Sequence, residues 1–90
     1  MKLVSIFHFA TMNDISIPEF REKLGLRIKQ LRLALKITQE ELALRMGFKD
    51  KQVVGRYEKE GANPTAYSLI LIARSLEVSL DELVDFSKLD

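Results

Sequence analysis

Histidine occurs once in the 90-residue chain, at His8, and cysteine not at all. A metal site needs several imidazole, thiolate or carboxylate ligands, and a nucleophilic triad needs a base beside an activated hydroxyl or thiol, so His8 alone supports neither. The carboxylates are scattered without the pairing that acid–base catalysis uses, so no enzyme activity, metal or cofactor is expected. Cationic chemistry is better supplied. Residues 19–61 carry eleven Lys and Arg against seven Asp and Glu, residues 62–90 carry two against five, and the net charge of +1 hides this polarity. A basic centre followed by an acidic end is the charge layout of a surface that binds anions on one face and is balanced on another.

One core must position these charges, because ninety residues leave no room for two, nor for a separate ligand-sensing domain. With 47% hydrophobic and 30% charged residues, the composition is that of a folded globular chain. The apolar run Leu3–Ala10 is far shorter than the roughly 20 residues of a membrane span and makes a poor signal peptide. With no cysteine, a cytoplasmic location is expected. The β-branched and aromatic residues of that run suggest a strand or extended arm over residues 1–18. Such an arm is either a loose tail or an element that pairs with a second copy, and Met12 is an alternative start. From Glu19 the period becomes helical, with Phe20, Leu24, Ile28, Leu31 and Leu35 on one face. Thr38-Gln39-Glu40-Glu41 is a capping box that opens a second helix with Leu42, Ala43 and Met46 inward, ended by Gly47. Asp50 caps a third helix running to about Lys59, with Val54 and Tyr57 inward. Thr65 opens a fourth through Leu69, Ile72, Ala73 and Leu76, and Ser79-Leu80-Asp81-Glu82 a fifth through Leu83 and Val84. The expected fold is all-α, five helices over residues 19–86 with a tail at 87–90.

Two short helices joined by a tight turn containing Gly47, with the small Ala43 at the crossing and Val54 beyond it, have the sequence form of a helix-turn-helix. The chain resembles the Cro/repressor-type, XRE-like helix-turn-helix family. The likeness runs through Ile28-Lys29-Gln30-Leu31-Arg32, Ile37–Ala43, Gly47, Val54-Gly55-Arg56-Tyr57-Glu58, Asn63-Pro64-Thr65 and Leu69–Leu76, and it covers roughly residues 20 to 85. It implies a lambda-repressor-like five-helix domain that binds double-stranded operator DNA, commonly as a homodimer, with the third helix in the major groove. Lys51 and Gln52 match the family's first base-facing positions and Arg56 a later one. Lys or Arg donates to guanine O6 and N7, Gln pairs with adenine N6 and N7, and Val53 can meet a thymine methyl. Gln39 matches the family's phosphate-bonding Gln, and Lys49 and Lys59 flank the unit as further phosphate contacts. Taken alone, Lys51, Gln52 and Arg56 would be an ordinary solvated helix face. Tyr57 and Glu58 match a structural pair, Tyr57 filling the core and Glu58 pairing with Arg32.

Three departures from the family pattern stand out. The turn at Phe48-Lys49-Asp50 is one residue longer, which leaves the register of Lys51 and Gln52 open by one. Gly55 sits inside a helix, where it costs about 1 kcal/mol relative to Ala. Glu60 replaces the usual Gly, with Gly61 following. In the fourth helix, Leu69, Ile70, Leu71 and Ile72 cannot all face one neighbour. Leu71 is expected to point outward and form with Tyr67 an apolar stripe, either a dimer seam or a face covered by the chain's own N-terminal segment. The leading expectation is a dimeric repressor reading operator half-sites. The competing one is an antitoxin or other protein-interaction module that neutralises a partner such as a toxin and acts on its own promoter.

Overall fold

The computed structural model describes residues 15–89, so most of the expected arm, and Met12 with it, lies outside this range. Five α-helices are present among the described residues: α1 (Ile17–Ala34), α2 (Gln39–Arg45), α3 (Gln52–Glu60), α4 (Ala66–Ser75) and α5 (Leu80–Leu83). A 3-10 turn, Phe86–Lys88, follows them. No described residue is in a strand.

The helix starts follow local chemistry. Thr38, Thr65 and Ser79 have extended backbones, and their hydroxyls accept the amides of Glu41 at 3.0 Å, Ser68 at 3.1 Å and Glu82 at 3.1 Å. The capping boxes close on one side only, because Glu41 turns to Arg45 and Glu82 to Arg27 and Lys88. Helix α1 begins two residues earlier than Glu19. Pro18 stands inside the first turn, where its missing N–H is no loss, and the Ser16 hydroxyl accepts the Glu19 amide at 3.2 Å. Ser16-Ile17-Pro18-Glu19 is thus a third box-type start.

Three helix ends share one geometry. After α2, Gly47 at φ 87° donates to Leu44 and Phe48 to Ala43, the paired bonds that satisfy the last carbonyls of a helix. Lys36 after α1 and Glu77 after α4 adopt the same left-handed conformation, at φ 60° and 62°, without being glycine.

The fully buried side chains Leu24 and Ile28 of α1, Leu42 of α2, Val54 of α3, Ile72 of α4 and Leu83 of α5 meet in one core with Ala43 and Leu76. Phe20, Leu31, Leu35, Tyr57, Leu69 and Val84 pack around its rim. Helix α1 crosses α3 so closely that a Cβ on Gly25 would overlap the Tyr57 carbonyl oxygen and lie 3.2 Å from its carbon. This glycine, and not one in the turn, sets how near the third helix approaches the first. The chain leaving α5 is held as well: the buried Arg27 guanidinium donates to the Glu82 carbonyl and carboxylate, and the Gln30 amide donates to the Lys88 carbonyl at 2.8 Å. Residues 87–89 are therefore packed against α1 and are not a free tail.

Within α4 the expectation for Leu71 is corrected. Leu71 is half-buried on the core, and of the four consecutive apolar residues it is Ile70 that faces solvent, at 46% exposure. With Tyr67 at 73%, the outward apolar pair is Tyr67 and Ile70. The cause is helical phase. Ser75, one turn after Leu71, is buried beside Ile72, so the inner face extends toward Leu71 and away from Ile70.

Candidate nucleic-acid interface

The turn between α2 and α3 aims the functional side chains. Gly47 reverses the chain, and the Asp50 carboxylate then accepts the Gln52 amide at 2.9 Å, while the Gly55 amide donates to the Lys51 carbonyl at 3.0 Å. Lys51, not Asp50 as expected, is the N-cap of α3 and Gln52 its first residue, because the Asp50 carboxylate closes a turn one residue ahead of the helix. Val54 faces the core, Lys51, Gln52, Arg56 and Lys59 are exposed, and Val53 is half-buried with one side on the core.

Three adjoining concavities cover this face. One is lined by Lys29, Gln39, Lys51, Gln52, Gly55, Arg56 and Lys59, together with Glu60 and the Arg32–Glu58 pair. A second, at the start of α2, includes Thr38, Gln39, Lys49 and Lys51, and a third includes Phe48, Lys49, Gln52, Val53 and Arg56. All seven residues expected to bind DNA, Gln39, Lys49, Lys51, Gln52, Val53, Arg56 and Lys59, thus border one continuous surface. Tyr67 lies outside it.

The cations divide into two groups. Lys23, Arg27, Arg32, Arg45 and Lys88 are in ion pairs. Among the described residues, eight have no such partner: Lys29, Lys49, Lys51, Arg56 and Lys59 border the surface over α3, and Arg21, Lys36 and Arg74 do not. Exposed cations left without a carboxylate raise the local potential and attract phosphate. Lys29 was not singled out in the sequence. It stands one turn before Arg32, and the expected Arg32–Glu58 pair is the signal that would have placed it beside α3.

That pair is formed as expected. Arg32 Nε and Nη2 donate to the two Glu58 oxygens at 2.7 and 3.0 Å, with both side chains almost fully buried. Arg32 Nη1 also donates to the Ile37 carbonyl at 2.8 Å, and Gln39 Nε2 donates to Glu58 Oε1 at 3.1 Å. Gln39 therefore sits at the first turn of α2, as expected, with one of its two amide protons engaged inside the protein.

Two short helices across a glycine turn, with the second of them presenting unpaired cations, make this a helix-turn-helix DNA-binding domain. A family model for the helix-turn-helix matches residues 28–83, and the chain belongs to that family, whose XRE-type members are DNA-binding transcription regulators and not enzymes. Over 58 residues it is 40% identical to YobD of Bacillus subtilis (strain 168), described as an uncharacterized HTH-type transcriptional regulator. That match takes in 64% of this chain and 51% of YobD, so the chain spans about half the length of that relative. Among solved structures, the restriction-modification controller protein C.AhdI from Aeromonas hydrophila is similar at TM-score 0.63 and 32% identity, covering 69% of this chain and 92% of that one. The restriction-modification controller protein C.Esp1396I is similar at TM-score 0.64 and 33% identity, covering 78% and 91%. No helix among the described residues is long and apolar enough to cross a membrane.

Proposed function

We propose that this chain is a sequence-specific transcription repressor that reads operator half-sites as a homodimer, with α3 in the major groove. The observation that carries the reading is the gathering of the unpaired Lys49, Lys51, Arg56 and Lys59 on α3 and its preceding turn, joined there by Lys29 of α1, while Arg27 and Arg32 of α1 are consumed in internal pairs. Lys51, Gln52 and Arg56 meet base edges, and Val53 offers its exposed side to a thymine methyl. Gln39, Lys49, Lys59 and Lys29 bind phosphates on either side. Tyr67 and Ile70, with the edge of Leu71, form the seam between copies, which sets two α3 helices about one DNA turn apart. The two controller proteins, matched over about nine-tenths of their length, favour control of restriction–modification genes as the biological setting.

Selection of duplexes from a random pool tests this directly. The selected site should be a two-fold repeat, and Arg56→Ala should relax the preference at one position in each half. A pool that yields no consensus, or an Arg56→Ala variant that weakens all duplexes alike, would count against base reading by α3.

A further inference from the structure

We infer that Glu58, which belongs to the buried framework, is a positioning residue for DNA recognition: its carboxylate holds the Gln39 amide in place before DNA arrives. This rests on the proposed function. Glu58 is fixed from behind by two bonds to Arg32, at 2.7 and 3.0 Å, and its side chain is only 4% exposed. Such a carboxylate is a rigid acceptor, and Gln39 Nε2 donates to it at 3.1 Å. Arg32 carries the constraint further, because its third donor holds the Ile37 carbonyl, just ahead of the Thr38 cap of α2.

A glutamine amide has two N–H donors and a carbonyl acceptor, so one proton given to Glu58 leaves the other donor and the oxygen for a ligand. Gln39 lines both the concavity over α3 and the one at the start of α2, and its Oε1 lies 3.5 Å from where a Cβ on Gly55 would stand. The amide is thus held beside Gly55 of α3, in the concavity that Lys51 and Arg56 also line, by a buried group of that same helix. An exposed glutamine would have to lose its rotamer freedom on binding, and this one has lost it in advance. Structural worth alone accounts poorly for the pair, because a buried ion pair is often matched in stability by apolar residues of similar volume.

The test is a cycle of variants with DNA affinity as readout, measured on the selected duplex and accompanied by thermal melts. Gln39→Ala should weaken binding about tenfold or more in the parent, the scale of a lost hydrogen bond to a charged group. In the double variant Arg32→Met, Glu58→Leu, which removes the pair without stranding a charge, Gln39→Ala should cost less than about twofold. An equal cost of Gln39→Ala in both folded backgrounds overturns the inference while leaving DNA binding by α3 standing. A parent that binds no duplex overturns both. Should the double variant fail to fold, the decision passes to side-chain amide relaxation in the DNA-free parent. There the Gln39 amide should be ordered and the Gln52 amide mobile, and equal mobility of the two overturns the inference.

Discussion

The salt dependence of DNA binding puts the phosphate assignments to a quantitative test. Lys29, Lys49 and Lys59 are exposed, border the surface over α3 and have no carboxylate partner among the described residues. Three phosphates neutralised per protomer make six for the proposed dimer, and each displaces condensed counterions. The logarithm of affinity should then fall against the logarithm of salt with a slope of about −5, a loss of about a thousandfold between 50 and 200 mM. Replacing Lys49 and Lys59 by Gln leaves two such contacts in the dimer, for which the slope should shrink to about −2 and the loss to about tenfold. Both side chains are exposed and unpaired, so the substitutions should leave the melting temperature almost unchanged. Fluorescence anisotropy of a labelled duplex, titrated at several salt concentrations, reads the slope for parent and variant. A parent slope near zero would refute phosphate neutralisation by this surface. An unchanged slope in the double variant, with affinity reduced, would refute the assignment of these two lysines.

Three further outcomes concern the framework. Gly25→Ala should destabilise the domain by about 1–3 kcal/mol in a urea titration, although alanine is the better helix former. The new methyl would press on the Tyr57 backbone, which cannot rotate aside, and a stabilised variant would show that α1 and α3 do not cross at this spacing. Gly55→Ala should do the opposite and raise the melting temperature by a few degrees, up to about 1 kcal/mol, since its Cβ meets only the Gln39 side-chain oxygen at ordinary contact distance. A destabilised Gly55→Ala would mean that the Gln39 amide cannot yield. Acid should weaken the fold through Glu82, whose carboxyl is held below its ordinary 4.5 chiefly by the hydrogen bond from Lys88. A lowered carboxyl binds its proton more readily in the unfolded chain, so its contribution is present above pH 4.5 and is lost as pH falls through the folded value. Lys88→Met should flatten the urea midpoint against pH in that acid range, and an unaltered profile would assign the acid sensitivity elsewhere.

Much of the framework was legible because its signals are local. Thr38, Thr65 and Ser79 cap the amide three residues on, and Gly47 alone serves the left-handed turn after α2, so each start or stop is written within four or five positions. The apolar faces of α1 and α4 marked most of the apolar core, but Arg27 and Arg32, which lie among the polar positions of α1, are buried as well, and the family resemblance supplied the pairing of Arg32 with Glu58. Ser16-Ile17-Pro18-Glu19 carries the same kind of local start signal, since the first turn of a helix accepts proline, and it places the start of α1 ahead of Glu19.

What the chain alone determined is therefore the inventory: five helices, a glycine turn, a basic segment on the third helix and an acidic end. Only the tertiary structure decided how that inventory is divided between framework and surface. The crossing at Gly25, the grip of Arg27 on Glu82, the approach of Lys29 to α3 and the capture of Gln39 by Glu58 join residues on different elements. Such contacts depend on the angle and depth at which two helices meet, which is set by the packing of the whole core and by no local pattern. The same packing chose Ile70 over Leu71 for the solvent, and it decided which cations are spent in pairs and which stay unpaired on the surface over α3.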